Sequence, residues 1–185
     1  MLALLATLCG SLQADDLAVK CLFPAGGQAG SHISVTCTGT FEIWPVEVWA
    51  DDAGLKFMPG QTLGQLEVEI SSTTRIGPHL VRFYHPTSVT PPVQFVVGNN
   101  PEFIAPSSSN TLTTTVIDSF PTTLNGLITR TNRVNTFTLR LPDSCQLEAA
   151  VCAVALDAPA SPSLELLDDK TNRVALQHAA PDRDT

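Results

Sequence analysis

Apolar and polar residues alternate along several short stretches of the chain, the pattern of β-strands with one buried face. In residues 32–38, Ile33, Val35 and Cys37 share one face, and the intervening Ser and Thr residues share the other. The same alternation occurs in residues 66–71 and 137–141. Turn-forming Gly, Pro, Asn and Asp separate such stretches at intervals of about ten residues. This pattern predicts an all-β chain of the sandwich type.

The predicted strands fall into two groups. The first group covers residues 18–23, 32–38, 47–50, 66–70, 80–84 and 92–97. The second covers residues 113–117, 127–130, 137–141, 147–156, 163–167 and 173–176. The run 147–156 (LEAAVCAVAL) also has the composition of a helix, but its neighbours favour a core strand. We therefore predict two consecutive antiparallel β-sandwiches, Ig-like or jelly-roll-like, over residues 15–98 and 111–185, joined by a linker over 99–110.

The N-terminal segment predicts export. Residues 2–12 are apolar but too short to span a bilayer, and Ala14 before Asp15-Asp16 is typical of a cleavage site. No Lys or Arg precedes the apolar run, so a buried first strand or helix is the alternative. A signal peptide over 1–14 implies a periplasmic, cell-surface or extracellular protein with no transmembrane segment after cleavage.

The charge balance excludes one class of partner. The net charge is -8, and the 10 Lys and Arg residues are scattered along the chain. Nucleic-acid binding requires clustered basic side chains that neutralise phosphates, so it is not expected here.

Four cysteines follow the predicted leader, and they allow three pairings. Cys21 and Cys37 flank the turn-rich residues 24–30 (PAGGQAG), so a disulfide between neighbouring strands is possible. Cys145 and Cys152 are seven apart, which places them on opposite faces of a continuous strand, and a bond would require a bend. Four free thiols are the alternative. The chain has no CxxC motif that would indicate a zinc knuckle.

No constellation of catalytic residues is visible. The chain lacks GxSxG and HExxH motifs and a phosphate-binding loop, so we predict no enzyme activity and no catalytic residue. The glycines of residues 24–30 are interpreted as a flexible hairpin loop. His79 and His85 share a face of one strand but lie about 20 Å apart along it, so we expect surface histidines and no metal ligands.

Two further features bear on ligands. Trp44 precedes Pro45 in a predicted loop, which makes it the candidate ligand-contact aromatic, whereas Trp49, Phe57 and Tyr84 are expected in the core. No cofactor is expected. Calcium is the alternative, through four acidic residues that we interpret as a solvated turn and tail: Asp168, Asp169, Asp182 and Asp184.

Several stretches of the second half resemble one family. They are residues 124–128 (LNGLI), 133–139 (RVNTFTL) and 161–168 (SPSLELLD), followed by Asp184. On these motifs, residues 125–184 resemble the bacterial pre-peptidase C-terminal domain, a small β-sandwich of secreted proteins. Residues 23–30, the strand closed by Gly39, and residues 77–82 (GPHLVR) are similar to the Ig-like unit that often precedes it in planctomycete-type exported proteins.

The chain also departs from the pattern of the family that it resembles. The family domain continues with a closing strand, so the resemblance implies an incomplete second sandwich. Where related modules place calcium ligands, only Glu102 and Asn110 remain, and no calcium site is carried over.

Together these features predict a non-catalytic exported module, either accessory or at the cell surface, that binds or spaces an extracellular protein or polysaccharide. The alternative is the N-terminal, non-catalytic part of a larger secreted enzyme such as a peptidase, because the chain stops abruptly at residues 181–185.

Overall fold

The computed structural model describes residues 17–105, 115–127, 134, 136–142, 144–152 and 163–178. Every regular element in those ranges is a strand, which confirms the predicted all-β class. The strands are β1 (Leu17–Phe23), β2 (Gly26–Gln28), β3 (His32–Phe41), β4 (Glu47–Ala50), β5 (Leu55–Pro59), β6 (Gln65–Ile70), β7 (Gly77–His85), β8 (Ser88–Val89), β9 (Val93–Gly98), β10 (Glu102–Ile104), β11 (Thr115–Ile117), β12 (Thr123–Asn125), β13 (Phe137–Leu139), β14 (Ser163–Leu167) and β15 (Arg173–His178). No helix long and apolar enough to cross a membrane occurs in the described ranges.

The first nine strands form two sheets. A four-stranded sheet has the order β1-β3-β6-β5, and all its pairs are antiparallel. A five-stranded sheet has the order β2-β9-β7-β4, with β8 also paired to β7. In it β2 runs parallel to β9, and the other pairs are antiparallel. This is the strand order of an immunoglobulin-type sandwich.

The core lies between the inner faces of the two sheets. Alternate residues of β3, β6, β7 and β9 are fully buried there, and the ring of Phe57 packs edge-on against Phe95, with centroids 5.2 Å apart. The buried apolar residues that fill the centre are Val35, Leu66, Val68, Ile70, Val81, Phe83, Phe95 and Val97. Interdigitated side chains from two inner faces are what hold a sandwich together.

The chain changes sheets between β1 and β2. β1 pairs with β3 in one sheet, and after Pro24 the chain enters the other sheet, where Gly26 pairs with Val96. A β-carbon at Gly26 would lie 2.3 Å from the carbonyl oxygen of Val96, so only glycine permits this approach. The prediction of a flexible loop over 24–30 is therefore wrong for Gly26–Gln28, because glycine here permits close strand contact.

The second half contains short strand pairs. β10 runs parallel to β12, β11 runs parallel to β13, and β14 and β15 form an antiparallel hairpin. At the hairpin turn the Asp168 carboxylate accepts bonds from the backbone N–H groups of Lys170 and Asn172, and the Asn172 contacts hold its pKa below the usual range. Asp168 thereby fixes the turn, in agreement with the predicted solvated turn at Asp168 and Asp169.

The predicted core strand over 147–156 is wrong in its described part. Residues 147–152 form no strand, and most of them are exposed. The run has no two-residue alternation, and Ala favours pleated surfaces weakly, so apolar composition alone does not specify a strand. Residues 153–156 lie outside the described ranges.

Candidate functional site

The outer face of the five-stranded sheet carries large apolar and aromatic side chains. Alternation along β4, β7 and β9 turns Val48, Phe83 and Phe95 inward and their neighbours outward. Trp49 is 49% exposed and Leu80 is 43% exposed. The outward residues, which we call the binding face, are Glu47, Trp49, Pro78, Leu80, Arg82, Tyr84, Gln94 and Val96.

The strand register sets the layout of the binding face. Trp49 on β4 lies opposite Arg82 on β7, and Glu47 lies opposite Tyr84. On the other side of β7, Leu80 lies opposite Gln94 of β9. Directly opposed residues on one face are near neighbours, so Trp49 on the edge strand β4 lies beside Arg82 on β7.

Glu47 acts on Tyr84 across the strand pair. The Glu47 carboxylate, as a hydrogen-bond acceptor, raises the pKa of Tyr84 above its usual range, and burial adds to the rise. Arg82, in contrast, is exposed and forms no ion pair with any residue that the structure describes.

The outer face of the four-stranded sheet is chemically different. Its polar groups bond to one another: Ser34 donates to Glu67 at 2.7 Å, and Lys56 lies 3.3 Å from Glu69. Its outward residues on β3, β5 and β6 are His32, Ser34, Thr36, Thr38, Thr40, Lys56, Met58, Gln65, Glu67 and Glu69. Only Met58 among them is a large apolar residue, so this is an ordinary solvated surface.

Trp44, the predicted ligand-contact aromatic, is half-buried. Its indole N–H donates to the carbonyl oxygen of Gly60 at 2.7 Å, and its ring meets Phe41 in a T-shaped contact at 5.2 Å. These contacts tie the loop after β3 to the end of β5 and occupy the polar edge of the ring. The structure thus assigns Trp44 an anchoring role, and it places Trp49, which we predicted in the core, on the surface.

His79 and His85 are buried, so the prediction of surface histidines is wrong. Both lie on the inward face of β7, with Val81 and Phe83 between them. Nδ1 of His79 lies 2.8 Å from the Asp51 carboxylate, and Nε2 lies 2.7 Å from the backbone carbonyl of Arg75. Both ring nitrogens of His79 thus lie within hydrogen-bond distance of an oxygen atom, and the ring is held from two sides.

His79 also closes a corner of the sandwich. It lies near the start of β7 and bonds to the backbone four residues upstream, the role that tyrosine takes at this corner in immunoglobulin-type sandwiches. The contact to Asp51 ties this corner to the end of β4, so His79 supports the binding face from the inside.

Cys21 and Cys37, the possible disulfide pair, are free thiols in the structure. Strict alternation from Leu17 would turn Cys21 inward, but the register of β1 shifts between Val19 and Cys21. This β-bulge turns Leu22 inward opposite Cys37 and leaves Cys21 on the exposed face. The two sulfurs therefore lie on opposite faces of the sheet. Burial, with a smaller contribution from nearby Cys21, raises the pKa of the Cys37 thiol to about 12.

Thiol labelling of the native chain tests this placement. Because the thiolate is the reactive form, iodoacetamide at pH 8 is expected to modify Cys21 and to leave Cys37 unmodified until the protein is unfolded. Peptide mass spectrometry with and without denaturant measures both sites, and exposed Cys145 is the positive control. A Cys21–Cys37 cross-linked peptide from unreduced protein would contradict the assignment.

The described residues hold no group of three or more His, Cys, Asp and Glu side chains arranged for a metal ion. Asn110, Asp182 and Asp184, named among the calcium alternatives, lie outside the described ranges.

Comparison of the chain with protein-family models, with curated proteins and with solved structures found no match. The resemblance of residues 125–184 to the pre-peptidase C-terminal domain, and of the first unit to its Ig-like neighbour, therefore stays a prediction.

Proposed function

We propose that this chain is a non-catalytic exported binding module, accessory or at the cell surface, that engages its partner through the binding face. The observation that carries the proposal is the contrast between the two outer faces of the sandwich. One is polar and internally bonded, whereas the other exposes Trp49, Leu80 and Arg82, which forms no ion pair with a described residue.

The residue types on the binding face support this role. Trp, Tyr and Arg are the residues most enriched among those that dominate binding energy, and they do so at the centre of an interface. Trp49 and Arg82 lie directly opposite each other on the binding face. Leu80 and Val96 add apolar surface beside them, and Gln94 supplies a polar group.

The binding face is also rigid. Its side chains stand on three hydrogen-bonded strands, with Phe83 and Phe95 fully buried behind them. A face that is already ordered loses little conformational entropy when it binds, so more of the contact energy remains as affinity.

The extracellular setting of the proposal is supported by the apolar leader and by the resemblance to secreted β-sandwich proteins. An outward aromatic face is a liability for aggregation unless a partner uses it, which gives a further reason to assign it a binding role.

Substitution of Trp49 by alanine tests the proposal. The probe is an array of immobilised polysaccharides, matrix proteins and the purified chain itself. Loss of this exposed aromatic anchor is expected to weaken binding to any captured ligand by about tenfold or more. Met58→Ala is the matched control, because Met58 is 43% exposed on the opposite outer face. Binding that is equal in both variants, or absent from every probe, contradicts the proposal.

A further inference from the structure

The binding face carries one charge of each sign. The register places Glu47 opposite Tyr84 and Arg82 opposite Trp49, so the two charges lie diagonally across β4 and β7. Both side chains are exposed, and neither forms an ion pair with another described residue. The face thus carries no net charge, with Glu47 and Arg82 on one diagonal and the aromatic residues Trp49 and Tyr84 on the other.

We propose that the partner covering the binding face is a second copy of this chain. This inference rests on the proposed function and names its partner. In a two-fold arrangement the same patch meets itself, and an axis midway between Glu47 and Arg82 sets Glu47 of each copy against Arg82 of the other. The contact then contains two equivalent ion pairs around a centre formed by Trp49 and Tyr84 of both copies.

The charge distribution of the chain favours a second copy as the partner of the binding face. The chain has a net charge of -8, so two copies repel one another over most of their surfaces. The binding face is neutral and has opposite charges at diagonal positions, so two copies can approach there without net repulsion. A hydroxyl-rich polysaccharide would match Arg82 and Gln94 but would leave Leu80 and Val96 against polar groups.

Charge reversal in the full chain tests the inference. Arg82→Glu places two carboxylates on the face, and Glu47→Arg places two cations there, so each variant alone is expected to dimerise about tenfold or more weakly than the unchanged chain. Mixing the two variants restores opposite charges at both contacts. The expected result is a heterodimer at least as tight as the original dimer, measured by sedimentation velocity at low salt.

Two controls complete the test. Glu67→Arg changes the charge equally on the opposite outer face and is expected to leave dimerisation unchanged. Circular dichroism melting of each variant establishes that the surface changes leave the fold intact.

Certain results would overturn the inference. They are an unchanged chain that stays monomeric at every concentration tested, single variants that dimerise normally, or variants that fail to combine when mixed. If Trp49→Ala still abolished capture of a polysaccharide or matrix protein, the proposed binding function would stand. Only the proposal that the partner is a second copy of the chain would then be rejected.

Discussion

Replacing His79 with alanine is expected to lower the free energy of unfolding by about 3 to 4 kcal/mol. The substitution removes a fully buried ring and leaves the Arg75 carbonyl without its donor. It also leaves the Asp51 carboxylate without the imidazole that lies 2.8 Å from it, although Asp51 remains partly hydrated because its side chain is 27% exposed. A loss of this size is a large fraction of the total stability of a typical domain.

Urea unfolding followed by tryptophan fluorescence measures the effect of His79→Ala. His32→Ala is the matched control, since His32 is exposed on β3, and it is expected to change stability by less than about 0.5 kcal/mol. The double variant with Asp51→Ala is expected to be less destabilised than the sum of the single variants, because both remove the same contact. Additive effects would show that Asp51 and His79 are not coupled.

Replacing Gly26 with alanine is expected to cost at least about 3 kcal/mol and to separate β2 from β9. The added β-carbon would lie 2.3 Å from the Val96 carbonyl oxygen, and that oxygen belongs to the backbone of a central strand, which cannot move without disturbing β7. The clash removes the parallel ladder that joins β2 to the five-stranded sheet. Thermal unfolding and hydrogen exchange at Val96 and Val97 measure the loss.

Gly98→Ala is the control for this substitution. Gly98 pairs with Gln28 in the same ladder, but the nearest atom to an added β-carbon there lies 3.9 Å away. Its effect is expected to stay within about 1 kcal/mol. Equal destabilisation by the two substitutions would show that the close approach of Gly26 to Val96 is not what requires glycine.

The strands of the first unit were predictable wherever alternation was long. Residues 32–38 and 66–70 alternate over their whole length, and both form central strands of the four-stranded sheet. β5 was not predicted, because Leu55–Pro59 contains Lys56 between apolar residues and ends in proline. β2 was not predicted because its glycines are ambiguous. Glycine occurs both where two strands approach closely and in flexible loops, so composition does not distinguish the two.

The binding face was less predictable than the strands that carry it. β4 has four residues, and Val48, Trp49 and Ala50 are all apolar, so the sequence does not indicate which face is inward. Trp49 looks like a core residue on hydrophobicity alone, whereas Trp44 looks exposed because proline follows it. The sequence did indicate the two faces of the sheet in β7, where inward Val81 and Phe83 alternate with outward Leu80, Arg82 and Tyr84.

The orientation of the cysteines was not predictable for a different reason. Cys21 and Cys37 do lie on neighbouring antiparallel strands, as their spacing indicates. One extra residue in β1 reverses the side of the sheet that Cys21 occupies, and a bulge leaves no clear mark in a single sequence.

The parallel pairing of β2 with β9 determines how tension would pass through the first unit. The first residues of the unit and its last strand leave this ladder in opposite directions along the same axis. A force applied between Leu17 and Gly98 therefore acts in shear on the hydrogen bonds of Gly26–Gln28. All of these bonds bear the force at the same time, so they cannot break one after another. The first unit, held at one end and pulled at the other, would therefore resist extension at this ladder.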